Sequence, residues 1–293
     1  MEKAHAEKGF YERETRFYAE LGDNINVRTP IVYHTDMDLS AGDHVLLLED
    51  LQYLLAGDQV LGCNEGEARA AMRYLSALHS SWWNDDRLDS IPWLLDTGMV
   101  EFYGQAAELY TKVYEPGLDR LSDWLPPGIE GMARQLMPTI PWFFKTVSSE
   151  PRTLCHRDFR LGNLFFSSGN SGDDVEVAAV DWEQVGPQRG AAEVAYFMCW
   201  SLDTEDRRRI KPGLLQEYHA GLLAGGVHDY SYENFMLDYR TGLLRNLFTL
   251  LIVVGNLPED RYRDDITNSA IFKPMAIRMQ TLIDWDCDEL IPG

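Results

Sequence analysis

The sequence predicts an α+β fold in two unequal parts. A small α/β unit runs to about residue 51, and a large, mainly helical part follows with a patch of strands inside it. Three observations carry this. Apolar residues recur at spacings of three and four over long stretches after residue 64, while runs of strand length and nearly unbroken apolar character stand at 44–51 and 176–181. The chain has 293 residues, 45% of them hydrophobic, with eight Trp, fourteen Tyr and twelve Phe, enough to fill a large core.

Residues 7–21 place Phe10, Glu14, Phe17 or Tyr18 and Leu21 on one helical face, and Gly22 with Asp23 and Asn24 ends that helix. A strand starts at Ile31–His34, DLSAGD makes a turn, and HVLLLEDL is a strand apolar on both faces. In residues 65–82 the set Ala68, Ala71, Met72, Leu75, Leu78, His79 and Trp82 follows a helical period and faces inward. A second helix spans Met99 to Tyr114, with Pro116 as its terminator. A third opens at Pro126 and Pro127 and is broken up by Pro138 and Pro141 before PWFFKTV resumes. TLCH, LGNLFF and EVAAVD read as short strands, the last two joined as a hairpin by GNSGDD. Helical texture returns at 190–202, again from Pro212, and in the long stretch from Ser231 to Gly255.

With 47 acidic against 26 basic residues the net charge is −21, which repels phosphate backbones and anionic lipid and argues against nucleic-acid and membrane partners. A cationic small molecule is attracted instead. Cys63, Cys155, Cys199 and Cys287 form no CxxC pair, no HExxH is present, and the N-terminus lacks the basic start and apolar stretch of a signal peptide. LFTLLIVV falls far short of the roughly 20 residues a membrane span requires. These features predict free thiols and a cytoplasmic protein.

The sharpest chemical signal is LCHRDFRLGNLFF at 154–166. It sets His156, Asp158 and Asn163 in a polar loop between apolar strands, and a further carboxylate, Asp181, ends the strand expected beside it. One candidate base and two hard oxygen ligands are what Mg²⁺ with a nucleotide phosphate requires.

HRDFRLGN resembles the H-x-D-x-x-x-x-N catalytic loop of the aminoglycoside phosphotransferase and choline kinase-like superfamily. VDWEQVGPQRGAAEVAYF resembles its metal-binding strand and following helix. The pattern FYERE…LLLEDL is most similar to the ecdysteroid kinase-like (CHK kinase-like) small-molecule kinases, and the likeness runs from Phe10 to the helices near 255. It implies a protein-kinase-like fold, with residues 1–51 as a remnant of the N-terminal lobe with its hinge and 52–293 as the C-terminal lobe. It also implies ATP and Mg²⁺ as cofactors and a small-molecule hydroxyl as acceptor. By the same resemblance Asp158 is the catalytic base, Asn163 and Asp181 hold the metal, His156 and Glu193 support the loop, Glu14 pairs with a phosphate-anchoring lysine, and Leu51, after Glu49 and Asp50, walls the nucleotide pocket. Trp182 is left open as a substrate contact, whereas Tyr196, Phe197 and Trp200 read as core.

Two departures qualify the likeness. Glu193 stands where the family has an aspartate. Ahead of Phe10 the lysines are Lys3 and Lys8, neither in an apolar strand, and no glycine loop lies near them. The resemblance thus implies a shortened N-terminal lobe, weak nucleotide binding and self-association through an uncovered sheet edge. The alternative expectation is a catalytically impaired kinase-like binding or scaffold protein, or the product of a shortened reading frame. No motif marks the acceptor site; Trp82, Trp83, Asp85, Asp86 and Tyr232 are its candidates, with a surface loop and core aromatics as the stronger reading of them.

Overall fold

The computed structural model describes residues 9–168, 175–258 and 265–293, and the turn GNSGDD, Lys3 and Lys8 lie outside these. Helix α1 (Phe10–Arg16) continues as a π-helical turn over Phe17–Leu21 and a 3₁₀ turn over Gly22–Asn24. Its buried face, Phe17, Tyr18 and Leu21, joins the main core, and Phe17 stacks on Trp182 with ring centroids 4.0 Å apart. The helix is therefore fixed to the segment after Asp181, not only to its sequence neighbours.

Strands β1 (Val32–Asp38) and β2 (Asp43–Leu48) form an antiparallel hairpin that pairs His34 with Leu47 and Asp36 with Val45. Gly42 closes the turn with φ +76°, a conformation glycine adopts without steric cost. The expectation of a strand buried on both faces is corrected here. Leu46 and Leu48 pack against the core, but Tyr33, Val45 and Leu47 are 62%, 52% and 55% exposed, because no described strand pairs with either edge of the hairpin.

β3 (Leu55–Ala56), β5 (Leu164–Phe166) and β6 (Val177–Ala179) make a three-stranded antiparallel sheet in the order β3–β5–β6. The expected hairpin of β5 and β6 is present, and every residue of β6 is buried. β4 (Thr153–Cys155) pairs with β7 (Gly186–Gln188). β7 contains Pro187, which a two-stranded sheet tolerates because both of its strands are edges.

The helices α2 (Glu65–Ser81), α3 (Arg87–Ser90), α4 (Val100–Leu121), α5 (Ile129–Leu136), α6 (Ile140–Val147), α7 (Gly190–Ser201), α8 (Thr204–Ala224), α9 (Tyr232–Gly255), α10 (Asp265–Arg278) and α11 (Gln280–Asp284) supply most of the mass. Asn64 and Glu67 form a reciprocal capping box that starts α2, and the inward set of that helix is buried as its periodicity predicts. α9 packs between α4 and α7, and α2 lies along α8. No helix among the described residues is long and apolar enough to cross a membrane.

Two helix boundaries differ from the sequence reading. α4 runs through Pro116 to Leu121 instead of stopping before it. An interior proline costs about 3 kcal/mol, and burial of Leu118 and Leu121 against the core offsets it. Gly117 permits the approach, since a Cβ there would stand 2.9 Å from the Leu251 carbonyl oxygen. α8 starts at Thr204, not Pro212, because Asp203 caps it by accepting the Asp206 N–H at 2.9 Å.

Candidate active site

The loop after β4 carries Asp158 and Asn163, and the turn after β6 carries Asp181. His156 joins the two. Its Nε2 lies 2.8 Å from the Val180 carbonyl and donates to it, while its Nδ1 accepts the Asp158 N–H at 3.3 Å. A second link runs from the Val180 N–H to the Asn163 carbonyl at 3.0 Å. The residues on either side of these links adopt left-handed backbone without being glycine: Arg157 has φ +71° and Asp181 φ +66°. Such conformations cost about 1–3 kcal/mol each and persist only where surrounding bonds impose them.

Glu193 imposes the first. From the first turn of α7 its fully buried carboxylate accepts the His156 N–H at 3.2 Å, the Arg157 N–H, and His79 Nε2 at 3.0 Å. Burial alone would raise its pKa, but the hydrogen bonds from His79 and the Arg157 amide bring it below the usual carboxylate range. His79, Cys155 and Glu193 lie close enough together to resemble a metal-ligand set. Both Glu193 oxygens already accept backbone N–H groups, so the cluster works as a structural knot. His79 Nδ1, in turn, meets the Tyr218 hydroxyl at 2.8 Å.

Asp158 is held by three side chains. Asn163 Nδ2 donates to its Oδ2 at 3.0 Å and to its backbone carbonyl at 3.0 Å, Arg160 Nε donates to Oδ2 at 3.1 Å, and the Tyr196 hydroxyl donates to Oδ1 at 2.7 Å. With its nitrogen spent on Asp158, Asn163 keeps its carboxamide oxygen for another partner. That oxygen, just before β5, and the Asp181 carboxylate, just after the adjacent β6, are hard donors, and they fit a divalent cation such as Mg²⁺.

Glu14 does not stand alone on a charged helix face. Its carboxyl accepts the Trp182 N–H and is pushed up to about 7, first by burial and then by the Asp181 and Glu183 charges. Because the folded value is raised above the ordinary 4.5, the stabilising protonated form is fully present below about pH 4.5 and is lost as pH rises through 7. Glu14→Gln is expected to stabilise the chain by about 2 kcal/mol at pH 8 and by almost nothing at pH 4.5. Thermal unfolding at the two pH values measures this; an equal effect at both would remove the electrostatic explanation.

Other expectations are redirected. Trp182, left open as a substrate contact, is fully buried between Phe17 and His156. Tyr196, read as core, reaches Asp158. Leu51 is buried on the segment that leads from β2 to β3, and Glu49 before it is held well down, at about 2, chiefly by Arg28 and then by Tyr53. Among the acceptor candidates, Trp82 is buried beneath the Arg87 guanidinium, Asp85 accepts from Arg87 at 2.8 Å, Trp83 meets Tyr230 and Tyr232 meets His219. None of these, nor Asp86, shares a hydrogen bond, ion pair or ring contact with Asp158. The sequence reading assigns Arg160, Tyr196, His79 and Arg245 no part in the site, with Tyr196 read as core and His79 as an inward helix residue; the one available signal was that Tyr196 lies three residues after Glu193, on the same face of α7.

Residues 2–230 match the family model described as the phosphotransferase enzyme family. The chain belongs to that family. Among solved structures, the phosphotransferase is similar to a choline/ethanolamine kinase family protein from Mesorhizobium loti (15% identity, TM-score 0.53, covering 97% of this chain and 84% of that one). It is also similar to an aminoglycoside-3'-phosphotransferase of type VIII (18%, 0.51, 83% and 80%) and to an ethanolamine kinase from Plasmodium vivax (13%, 0.50, 94% and 72%). At these identities the likeness establishes the fold, which is the protein-kinase-like α+β fold that the sequence predicts. No curated protein matches the sequence.

Proposed function

We propose that this phosphotransferase transfers the terminal phosphoryl group of ATP to a hydroxyl of a small molecule, with residues 1–51 as the N-terminal part and hinge and 52–293 as the part carrying the catalytic loop and metal site. The observation that carries this reading is Asp158, a carboxylate clamped by Asn163, Arg160 and Tyr196 and tied through His156 to the strand end bearing Asp181. Such a base orients the acceptor hydroxyl and takes its proton. The new P–O bond forms to the acceptor oxygen as the bond to the ADP oxygen breaks. Asp181 and the Asn163 oxygen would hold Mg²⁺, which when bound neutralises charge on the phosphates. Arg160 adds a cation next to the base, where a phosphoryl group in transit would meet it.

For the acceptor's body we assign the cavity of about 570 Å³ between α1 and residues 92–105, whose walls include Trp93, Leu95, Met99, Phe102 and Arg13. Arg13 donates to the Glu183 carbonyl at 2.7 Å, and the Leu95 carbonyl accepts from Arg157 at 2.6 Å, so the cavity is bonded to both chain segments of the site.

Asp181→Asn is expected to weaken MgATP binding about tenfold or more, and Asn163→Ala by less, since a full charge attracts a hard cation more strongly than a carboxamide does. Calorimetric titration of both variants decides it; equal or reversed losses would remove the metal assignment. A second reading, a kinase-like binding protein without turnover, is favoured by the acidic surroundings of Glu14, which oppose an entering nucleotide. It predicts weak MgATP binding and no ADP formed.

A further inference from the structure

We infer that Tyr196 and Arg245 are positioning residues that turn Asp158 so that its Oδ1 alone is open to the acceptor hydroxyl. The inference rests on the reading of Asp158 as the base. A carboxylate oxygen offers two in-plane lone pairs. Oδ2 spends both, on Asn163 Nδ2 at 3.0 Å and Arg160 Nε at 3.1 Å, whereas Oδ1 accepts one bond, from the Tyr196 hydroxyl at 2.7 Å, and keeps one lone pair. Without the tyrosine both faces of Oδ1 are open and the carboxylate plane is held from one end only.

Tyr196 is itself fixed. It is buried on α7, three residues beyond the Glu193 that binds the loop backbone, so one helix sets both the loop and the side chain it carries. From α9, the Arg245 guanidinium lies over the Tyr196 ring, 4.6 Å from its centroid, and Nη2 of the same group donates to the Arg157 carbonyl. Arg245 thereby clamps the tyrosine and the backbone next to Asp158 together. Among the described residues its Nη1 is buried without a hydrogen-bond partner, and the Arg157 carbonyl is a polar anchor of that arginine. Burial, followed by the Asp158 charge, pushes the Tyr196 phenol well above its usual range, so the hydroxyl remains a donor throughout the neutral range.

The test compares the wild-type chain with Tyr196→Phe, Arg245→Met and the double variant, following ADP release from MgATP with water and with glycerol as acceptors. The expected result is a kcat about tenfold lower in each single variant, with the KM for MgATP within about twofold, and a double variant no worse than the poorer single because both act through one carboxylate. A purely structural role would lower the melting temperature and leave kcat alone. Wild-type kcat in Tyr196→Phe overturns the inference while leaving the proposed function standing. If instead wild type turns over no faster than Asp158→Asn, the proposed function fails. The positioning claim is then decided by the ¹³C resonance of the Asp158 carboxyl carbon, which must shift in Tyr196→Phe; an unmoved resonance overturns it.

Discussion

Asp158→Asn is expected to abolish most turnover, by about 10²-fold or more, while the chain melts within a few degrees of wild type. The loss follows from chemistry: a carboxamide cannot take the acceptor's proton. The intact fold follows from the hydrogen bonds. The asparagine oxygen can occupy the Oδ2 position and accept from Asn163 and Arg160, and its NH₂ can take the Oδ1 position and donate to the Tyr196 oxygen, so the bonds that hold the loop are kept and the Tyr196 O–H alone loses its acceptor. Steady-state ADP release together with circular dichroism measures both halves. Full activity in the variant would remove Asp158 as the base; collapse of the fold would show that the carboxylate serves the core.

Glu193→Gln is expected to have the opposite profile, with stability lost first and activity as a consequence. Its two oxygens accept two loop N–H groups and His79 in a site without water access, and a carboxamide must point its own N–H atoms at one of those donors. Leaving a buried donor unsatisfied in a charge-assisted network costs about 3 kcal/mol. The left-handed Arg157 backbone, no longer held, relaxes and takes Asp158 out of register. Urea unfolding checks this: a loss below about 1 kcal/mol would mean that the loop is held by other bonds.

The two variants show why part of the site was legible in sequence and part was not. Asp158 and Asn163 sit five residues apart in one loop, and Asp181 ends the next described strand but one, so their grouping needs only the assumption that those strands are neighbours. Tyr196 meets Asp158 across 38 residues and Arg245 meets Arg157 across 88, and both depend on how α7 and α9 pack, which no local pattern encodes. His79 was legible as an inward residue of α2 but not as the partner of Glu193, because periodicity gives a face and not the residue opposite. Pro116 misled for the same reason. The local proline rule predicts a stop, and packing of Leu118 and Leu121 outweighs it.

The central claim is that Asp158 and Asp181 serve phosphoryl transfer to a small molecule. Incubation of the purified chain with Mg²⁺, γ-labelled ATP and a metabolite extract tests it most directly, with the label then followed through separation of the small molecules. Label is expected in at least one organic phosphate formed by wild type and absent with Asp158→Asn and Asp181→Asn. The same labelled product formed equally by all three proteins, or MgATP bound tightly with no labelled product from any of them, would contradict the account.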